Sequence, residues 1–257
     1  MQWIYPPTHL EARQSHWRTY VVFGHTLWGS MRIVSSGARG ALTPTKVDHR
    51  IQKWCDRVFG VSRTALAATG LEHHDGSPCI LLSNHTSLLD IPAVCATWPG
   101  RVRFVAKQEL RSIPGFGAAM EAAGIIFVDR SNRAKAIAQL AEAENRVRDG
   151  LSLWISAEGG RSRDGRLHSF KKGGFHTALK LQVPIVPVWI HGTLDVLPPD
   201  QLASVTDQTV TVHYGHPIPT TGRTVQDLPS LMGAARTAML ELAHQAGAPP
   251  TIDACAP

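Results

Sequence analysis

The sequence predicts an α/β fold: a mostly parallel central sheet flanked by helices, preceded by an N-terminal two-helix element suited to docking on a membrane. Three observations predict it. From about residue 61 onward, short apolar runs alternate with helical patterns. Those runs are apolar almost throughout, as expected of strands covered on both faces. Residues 1–60 differ in character, holding four of the seven tryptophans beside eight Arg and Lys residues.

The first helix is expected over about 13–34. Its uncharged core "TYVVFGHTLWGSM" (19–31) lies between Arg18 and Arg32 and holds His25 and two glycines. As a helix that run covers roughly 20 Å, against a hydrocarbon core of about 30 Å, so it is expected to lie in the membrane surface and not to cross. After "SSGARGALTPT" a second helix is expected over 44–59, where Val47, Ile51, Trp54 and Val58 recur at helical spacing. Trp, Arg and Lys around apolar stretches suit a headgroup-level interface. Packing of both helices on the main core is compatible with the same pattern. The N-terminus lacks a basic start followed by an apolar run, so no signal peptide is expected.

Strands are expected at 79–84, 102–107, 124–129, 151–156, 184–190 and 209–215. Between them, 88–98, 114–123, 132–150 and 172–182 read as helices, the third stopping on Gly150. A last helix, about 225–246, starts behind Thr224 and carries Val225, Leu228, Leu231, Met232, Ala235, Met239 and Leu242 on one face. At 43% hydrophobic and 18% charged, the 257 residues are apolar enough to bury a core. The net charge of +6 and pI of about 9.4 favour anionic partners. No basic helix or aromatic sheet motif points to nucleic acid. Cys55, Cys79, Cys95 and Cys255 have no CxxC spacing and read as free thiols. His73, His74, Cys79 and His85 match no zinc spacing, so no metal is expected.

One strand ends oddly. "LLSNHTSLLD" (81–90) leaves an apolar run for Ser83, Asn84 and His85, with Asp90 five positions on. In open α/β sheets, ligands gather at the carboxyl ends of strands. A turn that sets the carboxylate on one imidazole nitrogen leaves the other as a base, which is a triad without its serine. A capping aspartate beside an ordinary histidine suits the same spacing. Two further strand ends carry polar groups: Asp129 and Arg130 after "GIIFV", and Glu158, Gly159, Gly160 and Arg161 in "ISAEGGRSRDGRL". Glycines and arginines beyond a strand can bring N–H groups and a guanidinium to an anion.

The order of these motifs resembles the glycerolipid acyltransferases, specifically the bacterial 1-acyl-sn-glycerol-3-phosphate (lysophosphatidic acid) acyltransferases. "NHTSLLD" matches the first motif of that family, "GIIFVDR" the second, "EGGRS" the third and "VPIVPV" the fourth, and "FVAKQELRSIPGFG" is like the stretch between the first two. The resemblance covers about 75–195. It implies His85 as general base, Asp90 as its orienter, and Arg130, Glu158, Gly159 and Arg161 as holders of a phosphorylated acceptor, with Lys107 a further candidate for that phosphate. With the change in composition at about residue 60, the expected division is an N-terminal amphipathic helical membrane-docking element (1–60) and an α/β acyltransferase domain (61–257). The third motif departs from the family: Ser156-Ala157 stand where Phe-Pro is usual, and Gly160 where Thr is usual.

The chemistry agrees. A thioester's leaving thiolate, with a pKa of about 8.5, needs little help from an acid, whereas the attacking alcohol needs a base. Imidazole suits that role at neutral pH. With no GxSxG present, the expected reaction is direct transfer from acyl-CoA or acyl carrier protein to the free hydroxyl of lysophosphatidic acid, giving phosphatidic acid, with no cofactor. The expected partners are the lysophospholipid acceptor, the thioester donor and an anionic membrane surface. The expected location is the cytoplasmic face of the inner membrane, peripheral or monotopic. The alternatives are another lyso-lipid acceptor, such as a lyso-ornithine lipid, or a non-catalytic lipid-binding protein.

Overall fold

The computed structural model describes residues 1–7, 11, 13–129 and 131–248. The expected strands appear as β4 (Ile80–Ser83), β5 (Val102–Lys107), β6 (Ile126–Val128), β7 (Ser152–Ser156), β8 (Ile185–His191) and β10 (Thr209–Tyr214). Ahead of them lie β1 (Gln2–Tyr5), β2 (Gln14–Ser15) and β3 (Ala65–Thr69), and β9 (Ser204–Val205) precedes β10. The helices are α1 (His16–Ala38), α2 (Pro44–Ser62), α3 (Asp90–Thr97), α4 (Phe116–Ala122), α5 (Arg133–Arg148), α6 (Gly173–Leu181), the short α7 (Thr193–Val196) and α8 (Leu228–Gln245).

The main sheet has the order β1-β3-β10-β8-β4-β7-β5-β6. Strands β8, β4, β7, β5 and β6 run parallel, as does β10 with β3. The β10–β8 and β1–β3 pairs run antiparallel. The sheet is therefore mixed, which corrects the mostly parallel reading. The reason is the connection after β8. It runs through α7 and β9 with no long crossover helix, and a strand that returns without one pairs antiparallel.

Both faces are covered, which explains the unbroken apolar strands. On β4, Leu81 faces a cluster with Phe59 of α2 and Ala93, Val94 and Trp98 of the α3 segment. Its neighbours Ile80 and Leu82 face Phe175, Ala178, Leu231 and Ala235 of α6 and α8. Successive strand side chains point to opposite faces, so an apolar residue is needed at every step.

The first 60 residues are built into this frame. Trp3 and Tyr5 of β1 pair with Ala67 and Leu66 of β3. Thr43 caps α2 by accepting from Lys46 N, and Pro44 takes the first helical turn, where its missing N–H costs nothing. Val47, Cys55, Val58 and Phe59 of α2 are buried. Asp48 of α2 accepts from Arg101 at 2.8 Å and from the buried Arg103 at 2.5 Å. The outward face of α1 keeps Trp17, Tyr20, Leu27, Trp28 and Met31 exposed. Among the described residues no helix is long and apolar enough to cross a membrane.

Candidate active site

Strands β4 to β8 run parallel, so their carboxyl ends share one edge of the sheet, and there the polar motifs collect. At the end of β4, His85 Nδ1 lies 2.7 Å from Asp90 Oδ2. The turn between them is closed by the same oxygen, which accepts from Thr86 N at 2.7 Å and Ser87 N at 2.9 Å. An aspartate in the first turn of α3 thus satisfies N–H groups of its own loop while orienting the ring. Its other oxygen, Oδ1, accepts from Thr193 Oγ1 at 2.5 Å. Asp90 is fully buried, and the His85 side chain is 14% exposed. The carboxylate therefore acts out of reach of water while the imidazole keeps an opening. Among the described residues nothing takes His85 Nε2, and Trp154 packs edge-on at 5.3 Å to hold the ring plane.

Asn84 fastens the tip of β4 to β8. Its side chain donates to Ile190 O at 2.9 Å and accepts from Ile190 N at 2.8 Å, standing in for ladder bonds where the strands end. The loop after β7 closes over the same point: Ser162 N donates to His85 O at 2.7 Å. That bond sets the adjacent, exposed Arg161 near the histidine, and Arg161 has no ion-pair partner among the described residues. Glu158 Oε2 accepts from His168 N at 3.1 Å, whereas Oε1 is buried with no hydrogen bond. Burial pushes the Glu158 carboxyl up from its ordinary value, against weaker opposing effects of His168 and His85. Gly159 adopts φ +74°, and the position a Cβ would take is 2.9 Å from Lys171 Cγ. A glycine is therefore required, and the Lys171 stem lies across it.

Of the remaining sequence candidates, Lys107 sits at the end of β5, two strands from β4, or about 10 Å away. There it pairs with Glu109 at 3.1 Å. Arg130, like Cys255, lies outside the described residues. Asn84 was quoted with the first motif but given no role, and two contributors, Thr193 and Lys171, went unnoticed in the sequence. A Gly-Thr pair directly after β8 and "KKGG" before α6 are the signals that would have found the last two. No group of three or more potential metal ligands occurs among the described residues.

An apolar cavity of ≈ 1030 Å³ opens between α1, α2, α3 and α4. Val22, Trp54, Phe104, Phe116 and Met120 line it, together with Leu88 and Leu89 of the turn between His85 and Asp90.

An imidazole oriented by a buried carboxylate, a cation-bearing loop and an apolar cavity are the parts of a candidate catalytic centre. Comparison with known proteins gives the particular family. The model of the Acyltransferase family matches residues 65–191. Human 1-acyl-sn-glycerol-3-phosphate acyltransferase beta is 36% identical over 166 residues, 64% of this chain and 59% of that protein. A putative 1-acyl-sn-glycerol-3-phosphate acyltransferase of Caenorhabditis elegans, acl-2, is 31% identical over 204 residues, 76% of this chain and 68% of that protein. The crystal structure of the 1-acyl-sn-glycerophosphate (LPA) acyltransferase PlsC from Thermotoga maritima superposes with a TM-score of 0.68 at 26% identity, covering 89% of this chain and 98% of that one. The chain belongs to this acyltransferase family. It spans about three fifths of the length of several curated relatives it matches.

Proposed function

We propose that the protein transfers a fatty acyl group from acyl-CoA or acyl carrier protein to the free hydroxyl of 1-acyl-sn-glycerol-3-phosphate, forming phosphatidic acid. The observation that carries this reading is the His85–Asp90 pair, joined at 2.7 Å, with Nε2 taken by no hydrogen bond among the described residues. His85 takes the proton of the attacking hydroxyl. Asp90 fixes the ring and supports the charge it gains. The hydroxyl oxygen bonds to the thioester carbon, the tetrahedral oxyanion collapses, and the thiolate leaves. No acyl-enzyme is needed, and no cofactor beyond the donor.

Arg161 and the backbone of the loop that Gly159 turns receive the acceptor's phosphate in this reading, with Arg130 and Lys107 as the further candidate cations. Burial disfavours the charged form of the Glu158 carboxyl, which limits a second negative charge beside the phosphate. The acyl chain occupies the apolar cavity. The exposed Trp17, Tyr20, Leu27 and Trp28 face of α1 docks residues 1–60 on an anionic membrane at its cytoplasmic surface. A second acceptor, a lyso-aminolipid such as lyso-ornithine lipid, is favoured by one observation: Gly160 replaces the threonine usual in the third motif.

The test is acyl transfer by purified protein over a panel of lyso-acceptors with both thioester types, with His85→Ala as control. Lysophosphatidic acid should be the preferred acceptor, and H85A should lose at least about a hundredfold in rate while staying folded. Wild-type turnover by folded H85A would end the mechanism. Preference for a lyso-aminolipid would replace the acceptor.

A further inference from the structure

The carboxylate of Asp90 has two oxygens, and only one of them is explained by its own turn. Oδ2 serves His85 and two N–H groups. Oδ1 reaches a residue 103 positions away, the hydroxyl of Thr193 at 2.5 Å. Thr193 is fully buried, as is Asp90. Its Oγ1 also lies 3.1 Å from Thr86 Oγ1, so one hydroxyl bridges the turn that carries the histidine and the turn that follows β8.

The route that brings Thr193 there is tightly specified. Asn84 holds the end of β8 to the end of β4. Gly192 then turns the chain at φ +87°, where a Cβ would stand 2.2 Å from Thr209 O, so only glycine fits. Thr193 follows at once, and Ser87 Oγ donates to Leu197 O at 2.7 Å to hold the far side of α7 against the same turn.

We propose that Thr193 is a positioning residue of the catalytic centre: its hydroxyl fixes the Asp90 carboxylate in the plane that presents Oδ2 to His85 Nδ1. The proposal rests on the reading of His85 as general base. Rotation about the Cβ–Cγ bond swings both oxygens, and Oδ2 resists it only through donors of its own turn, whereas Oδ1 ties the carboxylate to the turn after β8. Bound through both, it holds the imidazole in one orientation, with Nε2 aimed at the hydroxyl that must attack. Thr193 touches no substrate in this arrangement and acts only through Asp90. Its loss therefore reduces turnover without altering the grip on the acceptor.

The test compares Thr193→Val, which keeps the shape and removes the hydroxyl, with Thr193→Ser, which keeps the hydroxyl and removes the methyl. Initial rates are measured on the full chain with a long-chain acyl-CoA and lysophosphatidic acid, alongside thermal unfolding. T193V should lower kcat about ten- to a hundredfold, the worth of one hydrogen bond to a charged group, with acceptor and donor KM within about twofold of wild type. T193S should restore kcat to within about threefold. A packing role predicts the opposite order, with Val tolerated and Ser impaired, and that result overturns the proposal. So does a T193V enzyme with unchanged kcat, or one whose loss appears only as a raised KM. If T193V does not fold, Thr193→Ala against T193S isolates the hydroxyl in the same way, and equal rates for those two overturn it. A normal rate in H85A refutes the base reading itself, and with it this proposal. A dead H85A beside a normal T193V refutes only the role of Thr193.

Discussion

Replacing Asp90 separates charge from structure, because the environment of its two oxygens differs. In Asp90→Asn the carbonyl oxygen can face His85 Nδ1, Thr86 N and Ser87 N, the three donors now on Oδ2. The amide then donates to Thr193 Oγ1, whose own proton turns to Thr86 Oγ1 at 3.1 Å. Every hydrogen bond is kept and one charge is lost. At 2.7 Å and an effective dielectric of about 20, that charge attracts a full imidazolium by about 6 kcal/mol. If half the proton charge has reached the ring in the transition state, the barrier rises by about 3 kcal/mol, or about a hundredfold in rate. Asp90→Ala is different. It leaves the N–H groups of Thr86 and Ser87 buried and unpaired, at about 1–3 kcal/mol each, against a typical total stability of about 5–15 kcal/mol. D90N should therefore be folded and slow, with a melting temperature near wild type, and D90A slow and visibly destabilised. Acyl-transfer rates and thermal melts on both proteins decide this. D90N within tenfold of wild type would show that the charge of Asp90 does not support the base.

Three further outcomes are expected. Arg161→Lys keeps a charge but loses the planar fork, so acceptor KM should rise about five- to thirtyfold with donor KM unchanged; a shift confined to the thioester KM would move the phosphate site to the other substrate. Glu158→Gln should slow transfer yet stabilise the fold at neutral pH, because burial raises this carboxyl and its contribution to stability is lost as pH rises from the ordinary carboxylate range through the raised value. The gain in melting temperature should accordingly be largest near pH 7 and vanish toward about pH 4, and a gain that is the same at both would contradict that sign. Trp17→Ala with Trp28→Ala removes rings that are 74% and 54% exposed; at about 1–2 kcal/mol each, binding to anionic vesicles should fall about a hundredfold, with the melting temperature unchanged. Undiminished binding would move the docking surface off α1.

The sheet from β4 to β8 was legible because unbroken apolar runs bounded by Gly, Pro and charged residues have few other readings. β3 was not: "ALAAT" is built from alanine, a good helix former, and becomes a strand only because β1 and β10 supply its two ladders. β2 and β9 are two-residue pairings joined across 189 positions, from Ser15 to Ser204, with no local signal at all. At the site, the sequence exposed the members that sit within a few residues of one another. His85, Asp90, Glu158, Gly159 and Arg161 form two short motifs. Thr193 belongs to the same centre but acts across β8 and β4, a proximity that only the strand order creates. Lys171 was hidden for a related reason. Its stem covers Gly159 because Lys171 N returns to Ala157 O at 2.7 Å, closing a loop that reads as solvated turn residues.

The way Asp90 is held bears on how the centre handles an anionic substrate. A buried carboxylate is commonly compensated by a cation. Here the compensation comes from two N–H groups, one hydroxyl and the imidazole. Had an arginine supplied it, the positive charge would have offset the field of Asp90 at His85 and weakened the support for an imidazolium. Neutral donors fix the carboxylate without cancelling its charge, so the full field falls on the ring. The same economy leaves the cations of the loop after β7 uncommitted. Arg161 has no acidic partner among the described residues, and Arg163 is drawn outward to Asp200 at 3.1 Å. Glu158, in the same loop, is largely buried, which disfavours its charged form. The charge of Asp90 is thus turned inward toward His85, while the loop after β7 carries Arg161 and Arg163 outward, a distribution that suits the phosphate-bearing acceptor proposed above.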